Sequence, residues 1–178
     1  RSPFPHAAKE RSRPRVLFFE SYPHVMYGQQ HTMLALLEHA QREAIEPLVG
    51  ASGEGDFVGA VRQMGIKPTI FSYPSMLAKY GGAVYRYRGS KQATFAWQVA
   101  RYMLHARREL RRLGVSGVFC NDLRGLLTIG AAARSLGVPV MIWDKLDRPH
   151  GWLDRLQLPL ANRTVFISEA VKTKFSER

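Results

Sequence analysis

Cysteine is nearly absent from this chain: Cys120 is the only one in 178 residues. An internal disulfide is therefore excluded, and a reducing compartment, the cytoplasm, is the expected location. Long apolar runs are also missing. None reaches the roughly 18 residues of a membrane-spanning helix. The opening stretch RSPFPHAAKERSRP is basic and carries prolines, with no apolar segment behind it, which is not a secretory signal. Residues 1–14 are expected to be a flexible basic tail ahead of one domain over 15–178. Acidic residues are scarce, 14 against 26 Lys and Arg, for a net charge of +12. Such a balance favours an anionic partner (nucleic acid, acidic lipid or a phosphorylated substrate) without choosing among them.

Several catalytic signatures are missing as well. The loop after the first apolar run has neither G-x-G-x-x-G nor G-x-x-x-x-G-K-[ST], so direct binding of NAD or ATP is not expected. There is no G-x-S-x-G nucleophile turn. The six histidines show no metal spacing, with His24 and His31 seven apart across a loop and a helix start. No metal and no tightly bound cofactor are expected, and no residue is assigned as catalytic. Cys120 reads as a small buried apolar residue. His24 and His150 sit in loops, where a lone histidine is ordinarily solvated.

What is present is an alternation of short apolar runs and amphipathic stretches. Strands are expected at Arg15–Glu20, Glu46–Ala51, Lys67–Ser72, Val118–Cys120, Val138–Trp143 and Arg163–Ile167. Helices are expected at Gln29–Gln41, Phe57–Met64, Ala93–Leu113, Leu126–Leu136 and from Ser168 onward, with a further short one at Asp154–Leu160. A long loop, Tyr73–Lys91, interrupts the series. The order βαβαβ implies an α/β fold, a doubly wound, mostly parallel, Rossmann-like sheet with helices on both faces. The run at Val138–Trp143 is apolar enough for a strand buried on both faces.

Ligands in such sheets bind at the carboxyl edge, and two polar tips fall there. Asn121, Asp122 and Arg124 follow the fourth strand, and Asp144, Lys145, Asp147 and Arg148 follow the fifth. If the two strands are neighbours, their tips share one crevice. Amide and carboxylate suit a polyhydroxylated ligand, and Arg suits phosphate or carboxylate. Two readings stand for Asp122, a ligand contact or the N-cap of the next helix. Asp144 and Lys145 either line the crevice or pair with their neighbours at the surface. Gly28, ahead of Gln29, either lets backbone N–H groups face an anion at a helix start or simply permits a turn.

The helix at Ala93–Leu113 divides sharply. Phe95, Val99, Tyr102, Met103, Ala106, Leu110 and Leu113 share one face, which is the expected core face. Trp97, Arg101, Leu104, Arg108, Arg111 and Arg112 lie opposite, with Arg86, Arg88 and Lys91 in the preceding loop. That face fits either an anionic membrane surface or a solvated cationic surface with Trp97 tucked against a neighbour.

Three segments, FFESYPHVMYGQQHTMLALLEHA, VFCNDLRGLLTIGAAARSLGVPVMIWD and ANRTVFISEAVKTKF, together resemble the N-terminal lobe of GT-B glycosyltransferases of the retaining family 4 type. The resemblance runs over nearly the whole chain from Arg15. It implies an acceptor-binding lobe that faces a donor-binding C-terminal lobe, here absent. It also implies sugar transfer from a nucleotide-sugar to a lipid-linked or polysaccharide acceptor. The implied cleft residues are Gly28, Gln29, Asn121, Asp122, Arg124, Asp144, Lys145 and Ser168. The chain departs from the family pattern in having Tyr27-Gly28-Gln29 where paired glycines are usual, and Asn121 or Cys120 where many members carry histidine. No nucleic-acid-binding motif is present, so nucleic acid is not an expected partner on this reading. The alternative is a standalone basic α/β module that binds nucleic acid or another anionic partner.

Overall fold

The computed structural model describes residues 13–79, 88–145 and 159–173. Strands β1 (Arg15–Glu20), β2 (Glu46–Ala51), β3 (Thr69–Ile70), β4 (Gly117–Cys120), β5 (Val140–Asp144) and β6 (Arg163–Phe166) form one sheet in the order β3-β2-β1-β4-β5-β6. Every pairing is parallel. The α/β, Rossmann-like reading of the sequence thus holds. The order reverses between β1 and β4, the switch point at which such sheets leave a crevice.

Alternation along the strands sorts side chains into two cores. Leu17, Phe19, Val118, Cys120, Val140 and Ile142 face helices α4 (Ser90–Arg112) and α5 (Leu123–Arg134). Phe18, Val49 and Phe119 face α1 (Gly28–Arg42) and α2 (Asp56–Gln63). Helix α5 runs through Leu123–Gly125, a π-helical turn at Leu126–Gly130, and Ala131–Arg134. On α1 the buried positions Gln30, Met33, Leu37 and Ala40 repeat at helical spacing. On α4 the expected core face is the buried one, centred on Tyr102, Ala106 and Leu110. Short helices α3 (Ser75–Ala78) and α6 (Glu169–Thr173) follow β3 and β6.

Several boundaries move, for identifiable reasons. β3 is confined to Thr69–Ile70, and its start follows Pro68, which has no N–H for the ladder. β5 starts at Val140 rather than Val138, after Pro139. It is not buried on both faces: Met141 is 37% exposed on the side where α1 and α2 cover β1, β2 and β4. α5 begins at Leu123, directly after Asp122, and ends at Arg134, two residues short of the expected Leu136, in a turn closed by Gly137, whose φ of 75° is the left-handed conformation that follows helices. Gly137 N–H bonds the Arg134 carbonyl at 3.0 Å, and Val138 N–H bonds that of Ala133 at 3.0 Å. The Tyr73–Lys91 loop is shorter than expected at both ends, holding α3 and yielding to α4 at Ser90. The expected tail lies outside the described residues apart from Arg13 and Pro14. The expected helix at Asp154–Leu160 does so apart from Pro159 and Leu160, which are helical.

One contact fixes the loop between β1 and α1. The backbone of Gly55, just before α2, lies so close to that loop that a Cβ there would stand 2.3 Å from the Pro23 carbonyl oxygen. Phe57 N–H also bonds that oxygen at 3.0 Å. Gly55→Ala is expected to cost about 1–3 kcal/mol, the usual range for overpacking a close contact, read as a lower urea midpoint. An unchanged midpoint would show that the loop yields freely.

Candidate functional site

At the switch point, β1 ends in Glu20-Ser21 and β4 ends in Asn121-Asp122. Glu20 and Asn121 are fully buried, and by alternation both project to the α1 side of the sheet. Asn121 Nδ2 donates to Glu20 Oε2 in a short hydrogen bond. Tyr22 N–H donates to Glu20 Oε1 at 2.8 Å, and Gln29 Nε2 reaches the same oxygen at 3.4 Å. Lys145 Nζ donates to Asn121 Oδ1 and, at 3.0 Å, to the Asn121 carbonyl. Nζ also lies 4.4 Å from the centre of the Trp143 ring. Glu20, Asn121 and Lys145 therefore form a chain across three strand ends, with the ammonium at its outer end.

Asp122 turns to the other side. Its Oδ1 accepts from Gly125 N–H at 2.8 Å and from Ser21 Oγ at 2.8 Å, so the capping reading holds. Its Oδ2 is buried with no partner among the described residues. Ser21 Oγ is also 3.4 Å from Tyr73 Oη, which shares a 3.0 Å hydrogen bond with Thr128 Oγ1. Arg124 is buried. Its guanidinium bonds the Leu77 carbonyl and lies 4.4 Å from the Tyr73 ring centre and 5.5 Å from that of Tyr22. It clips α5 to the segment after β3.

The electrostatics follow from burial. Burial pushes the Glu20 carboxyl above its ordinary value, and the Asp122 charge adds to the shift against the opposing bonds from Asn121 and Tyr22. Burial also raises Asp122, with the Gly125 and Ser21 bonds and the Lys145 charge working the other way. Lys145 is brought down to about 8 by burial, with Glu20 and Asp122 opposing. It is mostly protonated at neutral pH. Burial likewise raises the Cys120 thiol well above its ordinary value, which fits a packing residue and not a nucleophile. No cluster of metal-ligating side chains exists among the described residues. The arrangement is suited to binding: Asn121, which holds the Lys145 ammonium, also reaches the Gln29 carbonyl at 3.4 Å, so the cation and the first turn of the 15-residue helix α1 share one residue.

Of the expected residues the structure brings together Gln29, Asn121 and Lys145, with Gly28 at the start of α1, whereas Asp122 and Arg124 serve the opposite side of the sheet. A Cβ at Gly28 would meet nothing within 4 Å, and its φ is not positive. Neither the turn nor the packing demands glycine there. Asp144 does not share the face of Lys145, because adjacent strand residues point to opposite sides. It is buried and falls in register with Val140 and Ile142. Ser168 lies beyond β6, two strands from the switch point, where its Oγ accepts from Val171 N–H at 3.3 Å. Asp147, Arg148, His150 and Arg86 lie outside the described residues. The sequence reading missed Glu20, Ser21 and Tyr73. The Glu20-Ser21 pair had the same signal as Asn121-Asp122, a polar step closing a buried apolar strand.

On the far side of the sheet from α1, the basic face of α4 is open. Trp97 is 61% and Leu104 53% exposed, and Arg88, Arg101, Arg108, Arg111 and Arg112 are exposed. Trp97 is not tucked against a neighbouring helix among the described residues.

No protein-family model and no curated protein sequence matches the chain. Solved structures do. MurG of Acinetobacter baumannii superposes with a TM-score of 0.62 at 18% identity, over 86% of this chain and 41% of that one. Anabaena HepE, solved in complex with UDP and glucose, gives 0.60 at 16% over 91% and 40%. The lipopolysaccharide outer core galactosyltransferase WaaB gives 0.61 at 14% over 92% and 42%. At these identities the likeness establishes the fold alone, an α/β Rossmann-like parallel sheet of the kind these structures contain. The chain spans about two-fifths of the length of these structures.

Asp122 supplies a test of the site's electrostatics. Its raised folded-state value means the folded protein holds a proton more tightly than the unfolded chain does. Stability from this group is complete below the ordinary aspartate value of 3.8 and is lost as pH rises through the folded value. Asp122→Asn keeps the cap and removes the ionisation. The variant is expected to show a flatter dependence of Tm on pH between about 4 and 7, and a Tm at pH 7 no lower than the parent's. A parallel downward shift at every pH would count against this account.

Proposed function

We propose that this chain is the acceptor-side, N-terminal lobe of a glycosyltransferase. The full enzyme moves a sugar from a nucleotide-sugar donor to a lipid-linked or polysaccharide acceptor. The donor is held by a second lobe outside this sequence. The observation that carries the reading is the coincidence of a buried Glu20–Asn121 pair holding Lys145 beside Gln29 at the switch point with a fold shared by glycosyltransferase lobes. HepE, which has that fold, is solved with UDP and glucose. The family 4 motifs add the expectation that the anomeric configuration is retained. The reading of a standalone basic module for nucleic acid rests on the +12 charge, which does not single out nucleic acid, and is not favoured.

On this reading the chain's own residues bind and orient. Glu20 and Asn121 hold Lys145 at the mouth of the crevice, where its ammonium and the α1 N-terminus meet acceptor hydroxyl or phosphate oxygens. Asp122 Oδ2 is the remaining buried acceptor close by. Stabilisation of the departing diphosphate falls to the second lobe, as electrostatic stabilisation of developing charge.

The test uses the full-length gene product that contains this lobe, assayed with radiolabelled UDP-sugars and with polyprenyl-linked or oligosaccharide acceptors. Transfer is expected, and Lys145→Met should lower kcat/KM about 10- to 100-fold, the equivalent of a charge-assisted hydrogen bond worth ~1.5–3 kcal/mol. The urea midpoint should shift by no more than the ~1–3 kcal/mol of one unsatisfied buried acceptor. A full-length protein that neither binds nor consumes any nucleotide-sugar would defeat the proposal.

A further inference from the structure

We infer that the exposed face of α4 docks on an anionic lipid bilayer. The inference stands on the surface of the lobe and does not require the proposed glycosyl transfer.

Trp97, Arg101, Leu104, Arg108 and Arg111 are spaced by four, three, four and three residues, so they form a line nearly parallel to the helix axis. With Arg112 the line covers 15 residue steps, about 22 Å at 1.5 Å each. All six side chains are exposed, while the opposite face of α4 is buried against the sheet. Between Arg88 and Leu113 the sequence carries seven Lys or Arg and one acid, Glu109, which is paired with Arg112 at 2.8 Å. The line thus presents net positive charge over a length comparable to several lipid headgroups. It belongs to a chain whose net charge is +12.

The apolar members decide the class of partner. A phosphodiester backbone needs cations and gains nothing from an exposed leucine. A bilayer surface uses both kinds of residue. Arginines pair with headgroup phosphates and carboxylates, a tryptophan settles at headgroup depth, and a leucine reaches the acyl boundary. Here they are interleaved, and the Arg101 guanidinium lies 5.5 Å from the centre of the Trp97 ring. Beside Trp97 an open groove of about 560 Å³ is lined by Ser72, Pro74, Gln98, Arg101, Tyr102 and His105. Its largely apolar wall extends the apolar surface beside the indole, with the Arg101 guanidinium at its edge. No helix of the described residues is long and apolar enough to cross a membrane, so the contact is peripheral.

The experiment is co-sedimentation of the 178-residue chain with large unilamellar vesicles of phosphatidylcholine, either alone or with about 30% phosphatidylglycerol. Retention is expected on the anionic vesicles only, and should be lost steeply as NaCl is raised from about 0.05 to 0.5 M. The double variant Arg108→Gln/Arg111→Gln should weaken partitioning about 10- to 30-fold. Trp97→Ser should weaken what binding survives at the higher salt. Both change exposed side chains, and circular dichroism checks that the fold is kept. Equal retention on neutral vesicles, no retention on anionic ones, or an unaltered double variant would each overturn the inference. So would capture by duplex or single-stranded DNA without any vesicle binding. None of these outcomes bears on sugar transfer by the full-length enzyme, so the two readings fail separately.

Discussion

The amide of Asn121 sets the geometry on which the crevice depends. A carboxylate only accepts and an ammonium only donates. With Glu20 on one side and Lys145 on the other, the amide has one workable orientation, Nδ2 toward Glu20 and Oδ1 toward Lys145. A fully buried side chain so constrained joins the ends of β1, β4 and β5. It also holds a cation at the crevice mouth in spite of the desolvation that burial imposes. Removing any member leaves a buried polar group without its partner, which is the costly way to disturb such a chain.

A second set of polar contacts serves the opposite side of the sheet. Ser21 links Asp122 and Tyr73, Tyr73 meets Thr128, and Arg124 stacks on Tyr73 while bonding the Leu77 carbonyl. Thr128 sits in the π-helical turn of α5, where its hydroxyl lies 2.8 Å from the Arg124 carbonyl and 3.3 Å from that of Gly125. Such turns commonly mark functional positions within helices. Here the turn lies directly behind the cap at Asp122, so the start of α5 and the floor of the crevice are set by the same residues. The lobe thus separates its tasks. The α1 side of the switch point holds the charged chain, the α4 side holds the packing ties, and the outer face of α4 carries the basic surface.

Much of this was legible residue by residue. The polar step after an apolar strand marked Asn121-Asp122, and the cap reading of Asp122 followed from its place before a helix. The 3.6-residue period of α4 separated Tyr102, Ala106 and Leu110 from Trp97, Leu104 and the arginines. The period-2 rule separates Asp144 from Lys145, which point to opposite faces, although reading them together as one polar tip passes over that distinction. Ser168, which the resemblance implies, and Asp144, read from the polar tip after the fifth strand, both rest on position in the chain, a criterion that does not register which way a side chain turns.

The sequence by itself determined the order of strands and helices, the buried face of α4, and the glycine turn at Gly137 that closes α5. All of these rest on periodicity and backbone preference within a few residues. Only the tertiary structure decided that β1 lies between β2 and β4. That neighbourhood depends on how two layers of helices pack over the sheet, and no local pattern encodes it. Because of it, Glu20 stands beside Asn121 and not at a solvated strand end, and a carboxylate that looks ordinary in the sequence becomes the buried anchor of the site.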